Sequence, residues 1–103
     1  MIVCLRVFGS LAHYLGGARI KVELPGGATL RDLMNLIDSR WGARIPAQLW
    51  DSEAKRFRGP VTVMLGGNDV QDEGTPLSEQ DEVFVLLPLA GGSDIGFPID
   101  KVQ

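Results

Sequence analysis

The sequence is poor in the residues that carry catalysis and metal binding. Its 103 residues contain one cysteine, Cys4, and one histidine, His13. A lone cysteine cannot form an internal disulfide, and this pair does not supply the ligand set of a zinc site. A nucleophilic cysteine would need the histidine beside it and a third group orienting that histidine, which their spacing does not indicate. We therefore predict an inert strand cysteine, a histidine in a surface or half-buried structural role, no catalytic residue, no metal and no bound cofactor.

Long hydrophobic runs and excess positive charge are also missing. No apolar run approaches the roughly 20 residues of a membrane-spanning helix, and the first residues do not resemble a signal peptide. The formal net charge is −3, which disfavours a nucleic-acid binder because phosphate contacts need a concentrated basic surface. Lys55, Arg56 and Arg58 cluster, but Asp51 and Glu53 adjoin them, so a solvated hairpin tip is the better interpretation. We expect a cytoplasmic protein without membrane or nucleic-acid partners.

Glycine pairs, by contrast, are frequent, and most of them fit turns. Three pairs separate predicted elements, and none has the sequence context of a phosphate-binding loop: Gly16-Gly17, Gly26-Gly27 and Gly66-Gly67. The fourth pair, Gly91-Gly92, instead ends the last predicted strand and precedes a loose tail. Without side chains, such a pair can pass through a channel too narrow for other residues. It can equally do no more than end the strand, and the glycines alone leave both interpretations open.

Hydrophobic periodicity predicts the elements of the first half. Met1–Phe8 and Ala18–Leu24 alternate apolar and polar residues, which is typical of half-buried strands, and a short apolar stretch between them suits one helical turn. Residues 29–41 predict a helix: Thr29 is a good N-cap, Asp32 follows at the capping-box spacing, and the apolar residues fall on one stripe. Gly42 is placed to end this helix as its C′ residue.

The second half predicts a hairpin and two further strands. The hairpin turns around residues 51–54, Val61–Leu65 is a strand that ends in a turn at residues 66–69, and Glu82–Ala90 is a final strand that is apolar on both faces. Strand, strand, helix, strand, strand in this order predicts an α+β ubiquitin-like β-grasp domain, with the first and last strands parallel. The predicted core comprises Val3, Leu5, Val7, Leu30, Leu33, Met34, Ile37, Val63, Leu65, Val83 and Val85.

The C-terminal segment Thr75–Gly92 resembles the MoaD/ThiS sulfur-carrier family. In that family a strand preceded by a "TPL…GDEV" turn ends in "P-x-x-GG", and here the sequence is TPLSEQDEVFVLLPLAGG. The segments RVFGSL at residues 6–11 and TLRDL at residues 29–33 also match. The resemblance covers residues 1–92, which it implies are a β-grasp carrier domain and not an enzyme, although such a chain can be the small subunit of a molybdopterin synthase.

The resemblance implies a function for the glycine pair. In such carriers a ubiquitin-activating-like adenylyltransferase uses ATP to adenylate the terminal glycine carboxylate, which then becomes a thiocarboxylate and donates its sulfur. The expected carrier terminus is Gly91-Gly92, and the length and ending favour molybdopterin synthesis, with a synthase large subunit or another sulfur acceptor as partner. Because both faces of the last strand are apolar and one helix covers one side, we expect Phe8, Phe84 and Pro88 to form a docking patch.

The chain departs from the family pattern at three places, one of which is His13-Tyr14 in place of a commoner charged pair. Gln80 stands where the family usually has glycine, and residues 93–103 follow Gly92, so the Gly92–Ser93 peptide bond leaves no carboxylate to activate. We expect this extension to be mobile or removed by a processing protease. Two alternatives remain open: a ubiquitin-like modifier joined through Gly92 to lysines of other proteins, and a β-grasp interaction module with a permanent tail.

Overall fold

The computed structural model describes residues 1–70 and 72–87, which form one sheet, one small hairpin and two helices. Five of the strands make the sheet, in the order β2-β1-β7-β5-β6. The elements in chain order are β1 (Ile2–Phe8), α1 (Leu11–Leu15), β2 (Arg19–Glu23), α2 (Leu30–Trp41), β3 (Trp50–Asp51), β4 (Arg56–Phe57), β5 (Thr62–Leu65), β6 (Asn68–Asp69) and β7 (Glu82–Leu86). This mixed sheet with its long helix confirms the predicted ubiquitin-like β-grasp.

The first and last strands lie side by side in parallel, as predicted. The β1–β7 register pairs Leu5 with Val83 and Phe8 with Leu86. Strand β2 runs antiparallel along the other side of β1, and β5 runs antiparallel along β7. The long connection through α2 makes the parallel pairing possible, because parallel strands need a crossover.

The core lies between α2 and one face of the sheet. Val3, Leu5 and Val7 of β1 and Val83 and Val85 of β7 are almost completely buried. Nine of the eleven predicted core residues are buried, and the two exceptions are Val63 and Leu65, which are half-buried. The prediction was wrong for these two because β5 lies near the sheet edge, beside the short β6. The core also includes residues that were not predicted, namely Leu11, Leu15, Val22, Leu24, Ala28, Trp41, Ile45, Trp50 and Leu77.

Helix α2 begins and ends where the sequence predicts, although its end differs in mechanism. The Asp32 carboxylate accepts hydrogen bonds from the Thr29 N–H at 2.8 Å and from its hydroxyl at 3.2 Å, in a capping box. Gly42 is the C-cap and not the C′ residue that we predicted, and its φ of −54° is right-handed. Close approach explains the glycine instead, because a Cβ there would lie 2.6 Å from the Asp38 carbonyl oxygen.

The β3–β4 hairpin confirms the predicted irregular hairpin and its charged tip. Trp50 is buried, and its indole N–H donates to the Asp38 carboxylate at 2.8 Å. Arg58 lies 3.9 Å from the Asp51 carboxylate. The Ala54 N–H donates a hydrogen bond to that carboxylate and, with lesser contributions from the Glu53 N–H and nearby arginines, holds the pKa of Asp51 below its usual range.

The β5–β6 turn is tighter than predicted. Gly66 and Gly67 both have positive φ, 63° and 85°, which glycine adopts without strain. Asn68 and Asp69, which we placed in the turn, instead form β6 and pair with β5. Among the described residues, no helix is long and apolar enough to cross a membrane.

Candidate functional site

The candidate site is the outer face of the sheet, the face turned away from α2. Strand residues alternate between faces, so the buried Val83 and Val85 leave Phe84 and Leu86 on the outer side of β7. The same alternation leaves Cys4, Arg6 and Phe8 on the outer side of β1. Phe8 is 39% exposed, which makes it one of two large exposed hydrophobic residues among those described.

Two predicted docking residues meet at the centre of this face. The Phe8 and Phe84 rings are stacked, with their centroids 5.9 Å apart and their planes 3° from parallel. The register explains the contact, because Arg6 is the direct partner of Phe84 and Phe8 lies two positions further along β1. The structure therefore brings Phe8 and Phe84 together as one apolar surface, which we call the aromatic pair. Their role in docking remains a prediction, and Pro88 lies outside the described residues.

Arg6 extends the aromatic pair in a way that the sequence analysis missed. Its guanidinium carbon lies 5.5 Å from the Phe84 ring centroid and 5.9 Å from that of Phe8. The Glu82 carboxylate lies 3.4 Å from the guanidinium. A cation at this distance from a ring centroid is attracted by the ring face. The signal was present in the sequence, because Arg6 shares the outward positions of β1 with Phe8.

The loop after β1 contacts the point where the chain leaves β7. Gly9 has a φ of 77°, and a Cβ there would lie 2.9 Å from the Leu87 carbonyl oxygen. Both observations require glycine, because an L side chain is strained at this φ and lacks room against the backbone. Leu87 is the last described residue before the predicted glycine stem. The predicted carrier residues Gly91 and Gly92 lie beyond it, outside the described residues.

A cavity of about 290 Å³ lies away from the aromatic pair, between α2 and the β4–β5 region. Leu30, Met34 and Phe57 supply part of its wall. Two of its charged lining residues are paired, since the Glu73 carboxylate lies 3.3 Å from the Arg56 guanidinium; Glu73 also lies 2.9 Å from the Arg31 guanidinium. These ion pairs indicate a structural role for Glu73 and its partners.

The histidine and the cysteine are not brought into one site with other reactive groups. His13 is exposed on α1, where its ring contacts Tyr14 edge to face. Cys4 is half-buried within β1. These positions agree with the structural roles predicted for both. Within residues 1–70 and 72–87, no group of three His, Cys, Asp or Glu side chains is arranged to hold a metal ion.

Solved structures of other proteins share this fold. SAMP1 from Haloferax volcanii has a TM-score of 0.74 at 18% identity, over 89% of this chain and 100% of that one. Urm1 from Trypanosoma brucei has a TM-score of 0.67 at 16% identity, over 88% and 95%. A chain from the complex of subunits 1 and 2 of the molybdopterin-converting factor of Helicobacter pylori has a TM-score of 0.58 at 21% identity, over 89% and 100%.

The sequence comparisons identify the family. No curated protein sequence gives a significant match. The family model described as "ThiS family" matches residues 5–92, which begins within β1, includes every later element through β7 and reaches the second glycine of the predicted carrier terminus. The fold is that of the ThiS/MoaD-like sulfur carriers and of ubiquitin-like modifiers. The chain belongs to the ThiS family, whose members are small carrier proteins or subunits rather than catalysts.

Proposed function

We propose that this protein is a sulfur carrier that works through the carboxylate of Gly92. The observation that carries the proposal is the extent of the family match, which runs from β1 to Gly92 and ends there. The residues that follow Gly92 lie outside that match. A protease that cuts after Gly92 therefore generates the active terminus, because a peptide bond offers no carboxylate.

The chemistry explains why a folded domain with a bare stem suffices. A carboxylate is a poor acyl donor until one of its oxygens becomes part of a leaving group. An adenylyltransferase makes that leaving group: the Gly92 carboxylate attacks the α-phosphate of ATP, and pyrophosphate departs. A sulfur nucleophile then displaces AMP and leaves a thiocarboxylate. This chain supplies no catalytic group, only a narrow glycine stem that enters the partner's active site.

The aromatic pair is the proposed docking surface for these partners. Phe8 and Phe84 are stacked and partly exposed on the face that α2 does not cover. Aromatic side chains with Arg6 beside them are the residue types enriched where binding energy concentrates. Together with Pro88, this surface docks first the activating enzyme and then the sulfur acceptor.

Molybdopterin synthesis is the proposed destination of the sulfur. The fold of this chain is shared by a chain of the molybdopterin-converting factor from H. pylori, which was solved as a complex of its subunits 1 and 2. By analogy, we propose that this protein is the small subunit of a molybdopterin synthase and that a large subunit accepts its stem. ATP is consumed by the activating enzyme and is not bound by this chain.

A second candidate function is protein modification. The fold is also shared by SAMP1, which belongs to the small archaeal modifier proteins, and by Urm1. A modifier would use the same adenylated Gly92, with a lysine amine in place of the sulfur nucleophile. The two functions differ in product, namely a thiocarboxylate in one and an isopeptide bond in the other. A permanent tail with no activation would leave only a β-grasp interaction module.

The test offers two chains to the ubiquitin-activating-like adenylyltransferase encoded in the same genome. One chain is full length and the other ends at Gly92, and ATP–pyrophosphate exchange is measured for both. We expect exchange with the shortened chain only. A shortened chain that ends at Gly91 is the matched control and should give no exchange. Inactivity of every chain, with the enzyme active on another carrier, would contradict the proposal and favour the interaction module.

A further inference from the structure

The outer face carries cations that the fold itself does not require. The β1–β2 register sets Arg6 directly opposite Arg19, and Cys4 opposite Lys21. Residues directly opposite one another point to the same face, so all three cations lie on the outer face; we call Arg6, Arg19 and Lys21 the basic band. Like charges directly opposite on neighbouring strands destabilise a sheet. The Arg6–Arg19 pairing therefore costs stability without contributing to the core.

Little within the described chain neutralises this band. Glu82 lies 3.4 Å from Arg6. Arg19 and Lys21 are exposed, and neither forms an ion pair with any residue in 1–70 or 72–87. Glu23, at the far end of β2, lies opposite Ile2 and likewise forms no ion pair with those residues. A local positive potential therefore remains on a chain whose net charge is −3.

The charges of the outer face are unevenly distributed across the sheet. Strand β2, which carries Arg19 and Lys21, is one edge, and β6 is the other. Asp69 of β6 pairs with Met64, and Met64 pairs with Phe84, so Asp69 shares the outer face. Cations therefore predominate on the β2 side of the aromatic pair, where Glu82 lies beside Arg6 and Glu23 lies at the far end of β2, whereas the β6 edge carries a carboxylate. Such an arrangement distinguishes a correctly oriented partner from a reversed one.

We propose that the basic band sets the orientation in which a protein partner docks, and that this partner presents carboxylates beside an apolar pocket. The inference rests on the proposed function for the identity of the partner, the activating enzyme. The aromatic pair supplies apolar contact area, whereas the band attracts the partner from a distance and rejects reversed encounters. Because β7 ends beside Phe8, a fixed orientation of the sheet directs the glycine stem to the same place in every encounter.

The test measures association rates on the activating enzyme from the same genome, immobilised, at low and at high salt. The variant is Arg19→Glu/Lys21→Glu in the chain that ends at Gly92. The matched control is Arg44→Glu/Lys55→Glu, which changes charge equally at exposed turn residues that form no ion pair with described residues. We expect association of the variant to slow by about tenfold or more at low salt, to approach the unmodified rate at high salt, and the control to stay unchanged.

A neutral variant distinguishes an effect of charge on the association rate from an effect of misfolding. Arg19→Gln/Lys21→Gln should give an intermediate rate, and all variants should melt at similar temperatures. Equal rates for the variant, its control and the unmodified chain would overturn the inference. Absence of binding by the unmodified chain would overturn it too. Equal rates while pyrophosphate exchange proceeds normally would overturn the inference alone and leave the proposed function standing.

Other occupants of the basic band are distinct outcomes of the same experiment. Salt-sensitive self-association that the Glu variant abolishes would assign the band to a second copy of this chain. Binding of a single-stranded RNA oligonucleotide with the same salt sensitivity would assign it to a polyanion. If Arg19→Glu/Lys21→Glu changes the association rate of the full-length chain but not that of the chain that ends at Gly92, the basic band would be assigned to Asp94 or Asp100. Each of these results overturns the assignment to an acidic protein partner.

Discussion

Both faces of strand β7 carry apolar residues, but the two faces differ in how deeply these residues are buried. On the inner face, Val83 and Val85 are completely buried beneath α2. On the outer face, Phe84 and Leu86 are half-buried, and no described element covers them. The inner residues belong to the hydrophobic core, whereas Phe84 contacts an exposed ring and a cation.

We propose that hydrophobicity serves two purposes in this one strand. Burial of apolar area on the inner face stabilises the fold, because that area is removed from water whenever the chain is folded. Apolar area on the outer face is still available for burial, so covering it with a partner would stabilise the complex. Substitutions on the inner face should therefore affect unfolding, and those on the outer face should affect association.

The largest expected effect is on the inner side. Leu33→Ala in α2 should destabilise the protein by about 2–5 kcal/mol, because a buried side chain is lost and a cavity remains. Met64→Ala, at a half-buried position on the outer face, is the matched control and should cost clearly less. Denaturant unfolding monitored by circular dichroism gives both values. Equal losses would show that the two faces do not differ as described.

The outer face should respond in binding. Phe84→Asp should weaken binding to the activating enzyme by about 2 kcal/mol or more, the size typical of a central aromatic contact. The Phe84→Asp variant should lose far less stability than the Leu33→Ala variant. Ile2→Asp is the control, since Ile2 is exposed on the same face but away from the aromatic pair. If Phe84→Asp destabilises the fold but leaves binding unchanged, Phe84 belongs to the core and the docking hypothesis is wrong.

A third prediction concerns the contact between the β1–α1 loop and the end of β7. Gly9→Ala should destabilise the protein by about 1–3 kcal/mol, from its positive φ and from crowding against the Leu87 carbonyl. Gly16→Ala is the control, because Gly16 has a φ of 88° but a Cβ added there would have no atom within 4 Å. Thermal or denaturant unfolding measures the difference between the two variants. Equal free energies of unfolding for the two variants would show that the close approach to Leu87 does not affect stability.

The smallest effect, and of opposite sign, is expected where β7 begins. Gln80 has a φ of 66°, which is unfavourable for a residue with a side chain. Gln80→Gly should stabilise the protein by about 0.5–1 kcal/mol, because relief of this strain exceeds the entropy that glycine adds to the unfolded chain. Gln48→Gly, at an exposed position without positive φ, should destabilise it. Destabilisation by both substitutions would show that the backbone at Gln80 is not strained.

The sequence predicted the parts of the fold that have a strong period. Helix α2 and the alternation of β1 and β7 follow from spacing alone, and the order of the elements predicted the β-grasp topology with its parallel β1–β7 pair. Val63 and Leu65 were placed in the core because their strand alternates, but alternation does not report how close a strand lies to the sheet edge. The conformation of Gly42 was missed because a close backbone approach leaves no mark in a sequence.

The candidate site was predicted less completely. Phe8 and Phe84 were identified from the apolar character of both faces of the last strand. Arg6 was missed because its position over two rings depends on the parallel register of β1 and β7, which places residues distant in sequence side by side. The basic band needed the β1–β2 register for the same reason. Pro88, Gly91 and Gly92 lie outside the described residues and remain predictions.

The central claim is that Gly92 is the working terminus of a sulfur carrier. The most direct measurement is the intact mass of the protein purified from its own cells under conditions that preserve thiocarboxylates. We expect a species that lacks residues 93–103 and carries one sulfur in place of one oxygen. A full-length chain of unmodified mass, found while the sulfur-transfer pathway is active, would contradict it.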